Sequence, residues 1–374
     1  MAQWHWIEHP FDLQFWWQRS PQWIGLDTEF IRERTYWPKL ALVQMAIGDD
    51  VLIIDFQVEG MKEALRPWLT DPSLVKIMHS ASEDCCALQH ACNAAPAPLF
   101  DTQLAATLSG LGLMVSYQKL VAQLTGVSLT KGETRSDWQH RPLSAAQLHY
   151  AADDVRYLYP LYVALRSRLD QQQRMAWLDE DCQRLIAQAG QANHERWFQP
   201  DSRLGRGLDQ AAQRRLGHLM FWREQHAQAV DLPRNWVIDS ALAHQLAQSP
   251  PADFGALVHT LRAYPTAIQQ LAQPLWQALS APSDETTTPA ATAIAPTEMT
   301  RMVKELQRIV AQQSLALNIP AAFLASRRYL EAIIIQRSWP SPLGYWRRVL
   351  LEKPLLQAVQ RMHRVGSTST LARD

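Results

Sequence analysis

Trp23-Ile24-Gly25-Leu26-Asp27-Thr28-Glu29-Phe30 is the stretch on which the reading of this chain turns. Ile24, Leu26, Thr28 and Phe30 alternate with Trp23, Gly25, Asp27 and Glu29. That alternation predicts a β-strand in which Asp27 and Glu29 project together. Two carboxylates side by side in an apolar run repel each other and are costly to desolvate, and a cation between them is the easiest way to keep both ionised. The alternative is that both simply face water at an exposed strand end. The choice depends on whether the rest of the chain supplies more carboxylates.

Upstream, residues 1–22 hold Trp4, Trp6, Phe11, Phe15, Trp16 and Trp17. They predict a short strand and then a helix beginning near Pro10, with the aromatics in the core because they recur at helical spacing. Downstream come the Arg-rich turn Ile31–Pro38, a strand over Leu40–Ile47, the turn Gly48-Asp49-Asp50 and a strand over Val51–Asp55. Strands joined by short turns predict an antiparallel meander. The period then changes: a helix over Met61–Leu69 and a buried strand over Leu74–Met78. The segment His79-Ser80-Ala81-Ser82-Glu83-Asp84 follows, in which Ser80 or Ser82 is expected to cap the next helix. Asp84 falls in its first turn, near the end of the preceding strand, where ligands gather in open α/β sheets. Leu99-Phe100-Asp101-Thr102 starts another strand-to-helix step, and helices continue to about residue 195. Among them, Tyr150 and Asp154 stand at i and i+4 and share a helix face, with Cβ atoms roughly 5–6 Å apart. Asp153 points about a quarter turn away and is the weaker candidate. Taken alone, Asp154 reads as an exposed helix carboxylate.

Together the candidates are Asp27, Glu29, Asp84, Asp154 and Tyr150. With them in hand the sequence resembles the DEDD exonuclease superfamily in its tyrosine-containing branch. Leu26-Asp27-Thr28-Glu29-Phe30 is similar to the first motif of that superfamily, His79–Asp84 to the second, and Tyr150-Ala151-Ala152-Asp153-Asp154 to the third. The strings Asp27–Pro38 and Ser136-Asp137-Trp138-Gln139-His140-Arg141-Pro142-Leu143-Ser144 resemble the ribonuclease D family. Further on, Arg215-Leu216, Phe221-Trp222-Arg223 and Asp231–Asp239 are similar to an HRDC domain, a small helical nucleic-acid-binding module.

The resemblance implies an α/β, ribonuclease H-like exonuclease domain with a mixed five-stranded sheet, followed by all-α HRDC-type domains. The expected division is an exonuclease domain over 1–200, an HRDC domain over 205–280, a flexible polar linker over 281–299 and a second HRDC-like domain over 300–374. The implied reaction is hydrolysis of RNA from the 3′ end to nucleoside 5′-monophosphates, with tRNA precursors carrying 3′ extensions as substrate. Two divalent cations, Mg²⁺ or Mn²⁺, are implied. Asp27 would bridge them, Glu29 and Asp154 would hold the ion bearing the attacking water, and Asp84 would support the other. A phenol with a pKa near 10 is a poor base at neutral pH, so Tyr150 is expected mainly to orient that water. Thr28, Arg32, Arg34, Lys131 and Arg135 are candidate RNA contacts. His79, Asp55 and Asp101 are expected to be structural. A DNA 3′→5′ exonuclease and a non-catalytic RNA-binding protein on a nuclease fold are the competing readings. The HRDC-like segment argues against the first and the complete set of five candidates against the second.

Composition agrees with a globular protein: 374 residues, 47% hydrophobic and 19% charged. No apolar run approaches the roughly 20 residues that span a bilayer. There is no basic start or h-region of a secretory signal. Cys85, Cys86, Cys92 and Cys182 fit neither a zinc site nor a disulfide framework, so reduced thiols and a cytoplasmic location are expected; a monomer is expected as well. The net charge of zero hides an asymmetry. Residues 1–170 carry 14 Lys and Arg against 19 Asp and Glu, and residues 300–374 carry 12 against 4. An acidic front half with a basic end suits a carboxylate site joined to a polyanion-binding region, although Arg-rich solvated helices would produce the same counts.

Overall fold

The computed structural model describes residues 4–129, 132–133, 136–189, 205, 207–280 and 294–370. Its centre is a mixed sheet of β1 (Trp4–Ile7), β2 (Trp23–Ile31), β3 (Lys39–Ile47), β4 (Asp50–Asp55), β5 (Val75–Met78) and β6 (Leu99–Asp101), in the order β1-β4-β3-β2-β5-β6. β2, β3 and β4 form the expected antiparallel meander, while β1 joins β4 and β5 joins β2 and β6 in parallel. The sheet thus has six strands rather than five. The short strand expected in residues 1–22 is β1, whose Trp4 and Trp6 lie beside Val51 and Ile53 of β4.

β3 is buried from Leu40 to Ile47, as a central strand covered on both faces must be. The helices that cover the sheet are α1 (Asp12–Trp17), α2 (Met61–Thr70), α3 (Ser82–Cys92), α4 (Thr102–Leu108), α5 (Tyr117–Thr125), α6 (Ala145–Arg156), α7 (Leu158–Gln171) and α8 (Met175–Ala189). In α1 only part of the aromatic run is core. Trp16 is buried and Trp17 packs edge-on against Trp68, but Phe11 and Phe15 are 73% and 57% exposed. A helix on the rim of a sheet has one inner face, and six residues put Phe11 and Phe15 outside it.

Residues 207–280 form helices at Gln210–Ala229, Arg234–Val237, Ser240–Gln248, Phe254–Leu261, Thr266–Gln269 and Ala272–Ser280. They enclose a core of their own that includes Leu219, Leu242, Leu246, Leu257 and Leu275. The last group, Pro296–Leu317, Ala321–Leu324, Arg327–Gln336 and Tyr345–Thr370, begins inside the stretch expected to be linker; residues 281–293 of that stretch lie outside the described residues. Its Met302, Leu306, Leu330 and Leu351 belong to the same buried cluster as the sheet. Polar ties join it to the sheet domain. Arg347 forms a two-pronged pair with Asp181 of α8 at 2.7 and 2.9 Å, and Arg174 donates to Leu108 O and Leu317 O at 2.6 and 2.7 Å. No described helix is long and apolar enough to cross a membrane.

Candidate active site

Asp27 and Glu29 lie on β2, the strand between β3 and β5, and are paired in register with Gln44 and Leu42 of β3. A β-bulge after Glu29 ends the regular ladder, so the strand bends away just beyond the second carboxylate. Gly25 explains how α6 comes close to this face. A Cβ there would lie 3.1 Å from Val155 O, 3.2 Å from Ala46 Cβ and 3.2 Å from Leu158 Cδ1. The missing side chain lets the α6–α7 junction rest directly on the strand.

α6 opens on a capping box in which Ser144 and Gln147 satisfy each other's backbone N–H groups. It buries Ala151, Ala152 and Val155, small enough to seat the helix flat on the sheet, and carries Tyr150 and Asp154 over β2. The Tyr150 ring is pinned between Trp138, with centroids 6.1 Å apart, and Gly132, whose added Cβ would fall 2.5 Å from Tyr150 Cδ2.

Asp84 enters from α3. Neither Ser80 nor Ser82 caps that helix. The N-cap is Ala81, without a side-chain bond, and Asp101 at the end of β6 takes over. It accepts from Ser80 N and Ala81 N at 3.3 and 2.9 Å, and also from Gln103 N and Leu104 N at the start of α4. A carboxylate at a strand end thereby fixes two helix starts. A local cap was expected because sequence spacing does not reveal a residue 20 positions away. Thr28, on the opposite side of β2 from Asp27, donates to Asp84 Oδ1 at 2.5 Å.

The four carboxylates share one electrostatic field. Burial first, then the charges of Asp84, Asp154 and Glu29, push the Asp27 pKa well above the usual carboxylate range. Glu29 is raised to about 9 by burial and by Asp154 and Asp84. Asp154 rises to about 7, chiefly through burial, against a hydrogen bond from Tyr150. Asp84 rises to about 6, again through burial, with the Thr28 hydroxyl opposing. None of the leading influences is a lysine or arginine. Burial and the same carboxylates push the Tyr150 phenol far up as well. Among the described residues no group of three or more His, Cys, Asp and Glu is drawn together tightly enough to cage a metal ion. The carboxylates share a field without forming a finished coordination shell. Their chemistry nonetheless suits a hard divalent cation: oxygen donors only, buried or half-buried, negative and, among the described residues, without a cationic partner.

The remaining sequence candidates divide. Thr28 is buried and committed to Asp84. Arg32 pairs with Glu83 at 2.8 Å and donates to Tyr36 O at 2.8 Å; Arg34 is exposed. Lys131 and Arg135 lie outside the described residues. Asp153 pairs with Arg156 at 2.8 Å. His79 bonds Thr102 Oγ1 and Val115 O, and Asp55 pairs with Arg141, so both are structural. Sequence reasoning missed Tyr117, whose buried hydroxyl donates to Asp153 O and accepts from Tyr157 N, steadying the last turn of α6. It begins α5, far from every motif, and no spacing marked it.

A profile of the 3′→5′ exonuclease family matches residues 5–170, the span that holds all five candidates. The chain is 52% identical over 359 residues to ribonuclease D of Xanthomonas oryzae pv. oryzae, covering 95% of this chain and 99% of that protein. It is 32% identical to ribonuclease D of Pseudomonas paraeruginosa over 92% of this chain and 93% of that one. The crystal structure of Escherichia coli RNase D, an exoribonuclease involved in structured RNA processing, superposes with a TM-score of 0.81 at 26% identity over 96% of this chain and 99% of that one. The catalytic core of RRP6 from Trypanosoma brucei shares the fold, with a TM-score of 0.55 at 21% identity over 75% of this chain and 79% of that one.

Proposed function

Since the chain belongs to the ribonuclease D family and is a 3′→5′ exoribonuclease, we propose that Asp27, Glu29, Asp84 and Asp154 hold two divalent cations, Mg²⁺ or Mn²⁺, and that Tyr150 orients the attacking water. Enzymes of this type work with divalent metals. The observation that carries the assignment is the mutual field of four carboxylates drawn from β2, α3 and α6, Asp84 buried and Asp27, Glu29 and Asp154 half-buried. Bound there, the ions would lower the pKa of a water molecule and offset charge on the phosphate and the leaving 3′ oxygen.

The chain's own residues do the positioning. Thr28 holds Asp84 in one rotamer. Tyr150, with its phenol pushed to high pKa, stays protonated at neutral pH and acts by hydrogen bonding rather than as a base. Gly132 and Trp138 keep its ring over Asp154. Discrimination for RNA requires a contact to the 2′-hydroxyl, for which the backbone around Thr28-Glu29 is the candidate. Arg34, Lys131 and Arg135 are the candidate phosphate contacts. Arg32 is the weaker one, being engaged with Glu83. The substrates of this reading are tRNA precursors with 3′ extensions. The enzyme acts as a monomer in the cytoplasm, where its four free cysteines stay reduced.

The test is a time course on a 5′-labelled, 3′-extended tRNA in Mg²⁺, Mn²⁺ or EDTA beside a matched DNA strand. A ladder shortening from the 3′ end on RNA and silent in EDTA is expected. Shortening in EDTA would remove the metal assignment, and shortening of DNA alone would overturn the substrate.

A further inference from the structure

Gln44 lies in the middle of β3 with its side chain fully buried, and neither its Oε1 nor its Nε2 has a hydrogen-bond partner among the described residues. Buried amides are paired in the great majority of cases, so one open at both ends calls for an explanation. Its location supplies one. Gln44 is the register partner of Asp27 across the antiparallel β2–β3 pair. Directly opposed residues point to the same face, with Cβ atoms about 4.5–5.5 Å apart. That face is the one α6 closes, since a Cβ at Gly25 on it would meet both its register partner Ala46 and Val155 O of α6. On its other side Gln44 faces Ile53 of β4, and above it α6 turns Ala151, Ala152 and Val155 inward. Of its two register partners, only Asp27 is polar.

We propose that Gln44 is a positioning residue for Asp27: its Nε2, unbonded in this structure, donates to an Asp27 carboxylate oxygen once that carboxylate turns to hold a divalent cation, and fixes its orientation there. The inference rests on Asp27 being a cation ligand. Opposed Cβ atoms about 4.5–5.5 Å apart make the two side chains neighbours on one face. The residue type also fits. A lysine or arginine at position 44 would compete with the cation for Asp27. A glutamate would add a further negative charge to a site that already holds four. An aliphatic residue would leave the carboxylate free to turn. A neutral donor orients the ligand without neutralising it, the usual part of a group that hydrogen-bonds a ligating carboxylate.

The experiment uses the full chain as wild type, Gln44→Met, Gln44→Glu and Asp27→Asn. Mn²⁺ is titrated calorimetrically without RNA, melting is followed in EDTA, and kcat and KM are measured on RNA. Gln44→Met conserves volume and removes the amide. It is expected to melt no lower than wild type in EDTA, to bind Mn²⁺ about 10–100-fold more weakly, and to lose kcat by a similar factor with KM for RNA unchanged. Gln44→Glu keeps the shape but not the donor and is expected to lose at least as much. Wild-type Mn²⁺ affinity and kcat in Gln44→Met would overturn the proposal. So would a lower melting temperature in EDTA, which would mean the amide is paired within the fold itself. Asp27→Asn separates the two possible failures: if it binds Mn²⁺ as wild type does, the assignment of Asp27 fails, and this inference with it.

Discussion

At the scale of single residues, the site is a set of charges that the fold holds at a cost. Glu29, Asp154 and Asp84 have folded pKa values of about 9, 7 and 6, all above those of the same groups in an unfolded chain, about 4. The folded state therefore binds more protons than the unfolded state between those limits. Whatever these groups contribute to stability is present below pH about 4 and is lost as pH rises through about 6 to 9. In EDTA the melting temperature should fall across that interval. The gain on adding Mg²⁺ should grow across the same interval, because the cation takes over from the protons. An Mg²⁺ gain that stays flat from pH 5 to 9 would contradict the shared field. Tyr150 depends on geometry instead. A methyl group at position 132 would collide with its ring at 2.5 Å, so Gly132→Ala should lower kcat by about 10²-fold, the effect of misplacing a positioning group by about 1 Å. Unchanged kcat would show that the 132–133 backbone gives way instead.

At the scale of elements, the site depends on how closely α6 approaches β2. Gly25 permits that approach, and any Cβ meets a backbone carbonyl as well as two side chains. Gly25→Ala should destabilise the protein by about 1–3 kcal/mol, the usual range for overpacking, and should also reduce kcat, because displacing α6 moves Asp154 and Tyr150 together. Denaturant melts and steady-state rates on one preparation test both; a stability loss with full kcat would place the yielding outside α6. The elements themselves were largely legible. Alternation marked β2, apolar runs marked β3 and β4, and the i, i+4 pair marked the working face of α6. The cap of α3 was not legible. Asp101 reaches it across β5 and β6, and such a contact has no sequence spacing to betray it.

At the scale of the whole molecule, two polar clusters join the helical regions to the sheet domain. In one, Tyr36 from the Arg-rich turn after β2 donates to Glu224, which also holds Arg234 at 2.5 and 2.8 Å, while Arg234 lies 4.7 Å over the Tyr36 ring. Two strings singled out separately in the sequence, Asp27–Pro38 and Asp231–Asp239, thus meet in space, and Trp37 N donates to Asp231 at 3.0 Å. In the other, Arg347 and Asp181 are 7% and 5% exposed, with Trp346 Nε1 donating to the same carboxylate at 3.3 Å. Asp181→Ala leaves Arg347 buried without its anion and should cost about 3–5 kcal/mol. It should also make residues 294–363 more open to limited proteolysis. If the variant melts like wild type, that pair does not hold the C-terminal helices to the sheet domain.

The amino-acid sequence by itself determined the strand pattern and singled out the five candidate site residues, because each rests on periodicity or on motifs within a dozen positions. Tertiary structure alone decided what holds those residues in place. Asp101 capping α3, Thr28 bonding Asp84 and Gly132 pressing on Tyr150 are all contacts between segments distant along the chain. Tertiary structure also decided that the C-terminal helices share the sheet domain's core, whereas residues 207–280 have a core of their own and meet the sheet domain in a small cluster of Tyr36, Ala227 and Val237. Both helical stretches are amphipathic, and an apolar face records only that a helix is covered, not by what.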